Sequence, residues 1–126
     1  MVSRAERNKL IEQNLVALTS LRGVTTAAIV DSDGFVTHIR RDFEVDTDAL
    51  GAAVQVVLSA SKQASGHVAQ RDVRLILSEN EDGIIILAPL TRDFALAVVT
   101  DKSAMLGAVR FEIRETIPEL NALFGG

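Results

Sequence analysis

Few residues in this chain are of types that do chemistry by themselves. There is no Cys, so neither a thiolate nucleophile nor a thiolate metal site can be built. The two histidines, His38 and His67, each lack a second His or a Cys at metal-ligand spacing. Both read as surface or hydrogen-bonded side chains. Asp31-Ser32-Asp33-Gly34 begins like a calcium loop, but its Gly falls at the wrong position and no matching Glu closes it. A turn explains it better. Ser59-Ala60-Ser61-Lys62 sets a Lys near two hydroxyls, yet on a helix and without a supporting motif. Glu79 and Glu81 pair two carboxylates in a polar turn, where solvation accounts for them. The chain lacks Gly-x-x-x-x-Gly-Lys, Gly-x-Gly-x-x-Gly and Gly-x-Ser-x-Gly, so the common phosphate loops and the nucleophile elbow are missing. The expectation is a non-enzymatic chain with no catalytic residue, no cofactor and no metal.

Composition narrows the classes further. A length of 126 residues suits one domain over 1–126, and 48% apolar residues suffice for a core. Aromatics are five Phe with no Trp or Tyr, so Val, Ile, Leu and Ala must do the packing. Net charge is −4 with both signs interspersed. Phosphate backbones need concentrated Lys and Arg, and base stacking needs aromatic platforms, so no nucleic-acid partner is expected. Met1 to Gln13 is polar and has no apolar run of the signal-peptide kind. No stretch approaches the roughly 20 apolar residues that span a bilayer, so no membrane insertion is expected. A soluble cytoplasmic protein fits these signs.

The elements that must position any functional surface follow from periodicity. Ser3-Arg4-Ala5-Glu6 has capping-box spacing, and Leu10, Ile11, Leu15, Leu18 and Leu21 recur at helical intervals, predicting a helix over Arg4 to Leu21. Val24 to Val30 and Phe35 to Arg40, joined at Asp31-Ser32-Asp33-Gly34, predict a β-hairpin. The second of these strands alternates apolar with polar and charged residues, which suits a sheet edge. Asp46, Thr47 and Asp48 can cap a helix running to about Ser65 or slightly beyond, with Gly66 as its stop. Val73 to Ser78, Ile84 to Leu90 and Phe94 to Thr100 predict three strands linked by tight turns. Asp101 or Ser103 can cap a last helix through Leu106, Val109, Ile113 and Ile117, which Pro118 would kink or end near Thr116. Gly107 in that helix is expected to allow close approach to the sheet, with Arg110 reaching an acceptor. The order α-β-β-α-β-β-β-α implies an α/β (α+β) sandwich on a five-stranded antiparallel sheet.

The middle helix carries the most informative pattern. With residues placed at about 100° intervals from Leu50, Ala53, Val54, Val57, Leu58 and Ala64 cluster towards the sheet. Ala49, Ala52, Val56 and Ala60 extend the apolar arc well beyond them. Gly51, Asp48, Gln55, Ser59 and Lys62 make the polar sector. One sheet requires a stripe a little wider than about 100°, and this arc is roughly twice that. Small residues in the extra arc suit close approach of a second helix, so a homodimer through this helix is expected. Cover by the chain's own terminal segments is the alternative.

Three segments resemble the Roadblock/dynein light chain family, across about Lys9 to Leu120. They are Gly23-Val24-x-x-Ala27-x-x-Val30-Asp31-x-Asp33-Gly34-Phe35, then Glu81-Asp82-Gly83-Ile84-Ile85-Ile86-Leu87-Ala88-Pro89-Leu90, then Leu106-Gly107-x-Val109-Arg110. Met105 departs from the Asn that often precedes Leu-Gly there. The resemblance implies a fold similar to longins and profilins, with one helix on one sheet face and two on the other. It also implies dimers through the middle helix and third strand, here Ala49, Ala52, Ala53, Val56, Ala60, Arg74 and Ile76. Bacterial members of the MglB type regulate a small Ras-like GTPase, as activator or scaffold, by remodelling it rather than by inserting a catalytic arginine. The polar rim of the paired helices, Gln55, Ser59, Lys62 and Gln63, is then the expected partner-binding surface. Two other functions remain open from sequence: a scaffold that leaves GTP turnover unchanged, and a small-molecule sensor.

Overall fold

The computed structural model describes residues 2–125. Its elements are α1 (Arg4–Thr19), β1 (Val24–Val30), β2 (Val36–Arg41), α2 (Thr47–His67), β3 (Ile76–Asn80), β4 (Gly83–Pro89), β5 (Ala95–Thr100) and α3 (Leu106–Leu123). The strands form one antiparallel sheet in the order β2-β1-β5-β4-β3, so β2 and β3 are its edges. Helices α1 and α3 pack on one face through Ile11, Leu15, Leu18, Ile113 and Leu120 against Ile29, Ile86 and Leu96. Helix α2 lies alone on the other, where Val54 and Leu58 meet Val30, Leu87, Ala95 and Ala97. This is the expected sandwich, one helix above and two below.

The layer under α2 is thin, because its sheet side is largely Ala and Val. That lets the helix sit low, and Gly51 makes the closest approach: a Cβ there would collide with the Gly34 carbonyl of the β1–β2 turn. Gly34 holds φ +86, as its hairpin position requires. The Gln55 amide ties the helix down a second time, donating to the carbonyls of Asp31 (2.9 Å) and Asp93 (3.0 Å). Both carbonyls belong to turns, so one side chain fixes α2 against two loops at once.

Several boundaries differ from the sequence expectation, each for a local reason. Helix α1 starts as expected, with the Ser3 hydroxyl accepting from the Glu6 amide at 3.1 Å, but it ends at Thr19 rather than Leu21. Helix α2 runs through Gly66 to His67. Its stop is Ala69 at φ +58, where the Gln70 amide returns to the Ser65 carbonyl (2.9 Å) and the Ala69 amide to that of Gly66 (3.3 Å). Strand β3 begins at Ile76, not Val73. Its register pairs Ile76 with Leu87, which carries Arg74 opposite Pro89, a residue with no N–H to continue the ladder.

Helix α3 passes through Pro118 to Leu123. The carbonyl that loses its donor is that of Arg114, an exposed residue whose backbone water can serve. Its N-cap is Met105 without a side-chain bond; Asp101 instead accepts from the Ser103 hydroxyl (2.6 Å) and amide (2.8 Å). Those bonds hold the Asp101 carboxyl below its usual pKa. Gly107 is exposed with open space around its Cβ position, so close approach is made elsewhere.

Two substitutions test these local accounts. Ala69→Gly removes a left-handed strain of about 1 kcal/mol and is expected to raise the denaturation midpoint; an unchanged or lower midpoint would contradict the strain. Gln55→Ala removes both ties, although the Asp31 carbonyl keeps the Gly34 amide as a donor at 3.0 Å, and is expected to cost about 1 kcal/mol in urea unfolding. Wild-type stability in that variant would show that the tie does not hold the helix.

Candidate interaction face

Burial divides α2 into two apolar faces. Gly51, Val54 and Leu58 are buried, and Leu50, Gln55, Ser61 and Ser65 are half-buried. Ala49, Ala52, Ala53, Ala60 and Ala64 are exposed, as are Val56 (68%) and Val57 (42%). The contact stripe is thus rotated by roughly 70° from the one expected at Leu50. Gly51, placed by sequence in the polar sector, sits under the helix, while Val57 and Ala64, placed on the sheet, face outwards. The cause is Gly51 itself: lacking a side chain, it seats against Gly34 and turns the helix about that contact. What remains outside is a continuous strip of Ala and Val.

That strip borders the β3 edge. An apolar groove of about 160 Å³ runs between them, with Leu50, Ala53 and Val57 on the helix side and Ile76, Ile85 and Leu87 on the sheet side. Strand β3 pairs only with β4, so its outer backbone groups are free of sheet partners. It carries no Pro, and Glu79 is its one charged residue. Isolated exposed apolar residues are ordinary, but here a strip of them is continuous with a sheet edge.

The sequence-selected residues fall into distinct positions. Ala49, Ala52, Ala53, Val56 and Ala60 all lie on the exposed arc, and Ile76 is half-buried in β3. Arg74 precedes β3 and is exposed beside a separate cleft. Of the polar residues, Gln55 is committed to the two turn carbonyls, which removes its amide N–H groups from an outward role. Lys62 reaches the Asp93 carboxylate at 3.5 Å, and Ser59 and Gln63 are exposed. Reasoning from sequence missed Val57, Ala64 and the 40% exposed Leu77 of β3. A helical wheel anchored on glycine contact instead of on Leu50 would have found the first two.

The groups of possible chemical interest are dispersed. His38 stands between Thr37 (2.9 Å from its Nδ1) and Asn8 (3.2 Å from Nε2), and burial lowers its pKa against the opposing pull of Glu12. Among the described residues, no group of three or more His, Cys, Asp and Glu side chains could hold a metal ion. Among them, too, no helix is long and apolar enough to cross a membrane.

Comparison with known proteins completes the picture. A search of curated protein sequences finds no match. Among solved structures, the gliding protein MglB of Thermus thermophilus superposes with a TM-score of 0.86 at 16% identity, over 98% of this chain and 93% of that one. Myxococcus xanthus MglB gives 0.87 at 18% identity, over 99% and 94%. A Roadblock/LC7 domain from Streptomyces avermitilis gives 0.82 at 16% identity, over 90% and 97%. At such identities the likeness establishes the fold. The family model for the Roadblock/LC7 domain matches residues 10–100, the helix, the hairpin, α2 and the remaining strands, and the chain therefore belongs to the Roadblock/LC7 family.

Proposed function

We propose that this chain is a non-catalytic homodimeric module that regulates a small Ras-like GTPase in the cytoplasm. The observation that carries the dimer is the outward apolar strip of α2 lying beside the unpaired edge of β3. The MglB-like architecture supports the GTPase as partner, since bacterial family members of that type act on one.

Geometry restricts how two copies can meet. Both α2 helices must pack together while both β3 edges pair. A two-fold axis lying in the sheet along β3 would put the helices on opposite faces, out of contact. Only an axis normal to the sheet keeps them on one face, and it makes both the strands and the helices antiparallel. The result is a ten-stranded sheet carrying a helix pair, with Ala49, Ala52, Ala53, Val56, Ala60 and Ile76 at the seam. Small side chains let the helix backbones approach closely, and Val56 and Val57 supply the buried area. Ser59, Lys62 and Gln63 then rim the helix pair as the partner-binding surface, and Gln55 supports that rim from beneath.

The seam is tested by Val56→Glu, whose side chain leaves the protomer's own core untouched. Burial of one Val stabilises by about 1.5 kcal/mol or more, and the axis counts it twice, so the dimer dissociation constant should rise at least about 100-fold. Sedimentation would show monomers with an unchanged circular dichroism spectrum. A dimer as tight as wild type would remove α2 from the interface.

The regulatory reading is tested by capture from source-cell lysate with a non-hydrolysable GTP analogue and with GDP, followed by GTP turnover of the captured protein. A Ras-like GTPase enriched in one nucleotide state, with altered turnover, is the expected result. A bound GTPase with unchanged turnover would make the chain a scaffold. No state-dependent capture would contradict regulation altogether.

A further inference from the structure

Beyond the apolar seam, the molecule holds a second unsatisfied surface. A cleft of about 800 Å³ opens before the start of β3, between the C-terminal turns of α2 and helix α3. Arg71 and Arg74 stand on one wall, Arg110 and Arg114 one helical turn apart on the other, and among the described residues Asp72 is the only carboxylate on its lining. These are four of the ten arginines in a chain whose net charge is −4. Among the described residues, the ion pairs are Arg41–Glu44 and Lys62–Asp93, so none of the four arginines has a carboxylate partner. The Nε of Arg110 is buried without any hydrogen-bond acceptor. The four guanidinium groups together offer an anion in the cleft charge-assisted N–H donors.

The same chain carries a matching anion. Asp42-Phe43-Glu44-Val45-Asp46-Thr47-Asp48 places a carboxylate at every second position from the loop before α2 into its first turn. All four acidic residues are exposed. Asp46 is occupied as the helix cap, accepting from the Ala49 amide at 3.1 Å, and Glu44 lies 3.8 Å from Arg41 with its side chain 96% exposed. Phe43 between them is half exposed, and the cleft floor offers Pro89, Ile117 and Pro118.

We propose that the acidic segment Asp42–Asp48 of one protomer docks in the arginine cleft of its partner, and that this contact fixes the dimer's register. The inference rests on the homodimer proposed above. With α2 helices antiparallel, the segment entering one helix lies beside the segment leaving the other. The exposed apolar strip from Ala49 to Ala64 has its midpoint between Val56 and Val57, and Asp42 and Arg71 are equally far from it in sequence. An antiparallel pair would therefore set the acidic entry of one α2 beside the partner's α2 exit, from which Arg71 and Arg74 follow, once on each side of the seam. Arg–carboxylate pairs are geometrically demanding, so they select one register where a strip of alanines permits several.

Two charge reversals and their mixture test this. Arg71→Glu/Arg74→Glu and Asp42→Lys/Glu44→Lys change exposed loop residues only. Each should weaken its own homodimer at least tenfold and reduce its dependence on salt. Mixed, the two chains present opposite charges at both sites, so native mass spectrometry should find heterodimers well above the statistical share. Statistical mixing, with homodimer affinities unchanged, would overturn the docking while leaving the α2 dimer intact. A monomeric wild type would overturn both. Thermal stabilisation of the wild type by inorganic pyrophosphate, lost in Arg110→Gln, with both homodimers unaffected, would make the cleft a small-anion site instead.

Discussion

A helix lying on a sheet can bury only one stripe of its surface, so whatever apolar residues it carries beyond that stripe must meet water or another protein. Helix α2 is the element on which this constraint bears hardest. It is alone on its face of the sheet, and its stripe is fixed by a glycine contact that leaves no freedom to roll: Gly51 fits against Gly34 only with that side down. The Gln55 amide then locks the orientation from the flank. Val56, Val57 and five alanines are left outside as a direct consequence. The thin Ala-rich layer beneath the helix and the apolar strip above it are two results of one choice of residues.

Much of this is legible in the sequence, and the failures are instructive. Strand β1 is Val24–Val30 in both readings, because a β-branched run between two glycine-marked turns leaves little alternative. The excess apolar arc on α2 is also visible, since it depends only on helical periodicity. Its orientation is not. Leu50 looks like the centre of the buried face, whereas that centre falls near Leu58 with Gly51 beside it, and a wheel weighted by hydrophobicity cannot see a contact made by a residue with no side chain. The end of α2 and the start of β3 escape for related reasons. Gly66 is the residue usually expected at a helix stop, but the left-handed turn falls on Ala69. Alternation suggests a strand from Val73, but pairing is a property of two strands, and Pro89 on β4 ends the ladder before that residue. The arginine cleft is illegible altogether: Arg71 and Arg74 are distant in sequence from Arg110 and Arg114, and only the fold brings them together.

The two unsatisfied surfaces divide their work in a physically sensible way. Apolar area drives association but tolerates sliding, particularly where side chains are as small and uniform as Ala. Charged pairs contribute less net affinity but discriminate strongly between arrangements. A module built from an alanine seam and two arginine–carboxylate clamps would be adhesive and single-valued together, which a regulator needs if its partner reads the shape of the helix pair.

Hydrogen–deuterium exchange across a dilution series tests the central claim most directly, because it reads the β3 edge residue by residue in the unmodified protein. If the edge is paired, the outward-facing amides of Ile76–Asn80, those not bonded to β4, exchange slowly at high protein concentration and accelerate on dilution, while β1 and β5 stay protected throughout. Fast exchange along β3 that does not change with concentration would mean that the edge is never paired, and the dimer built on it would have to be abandoned.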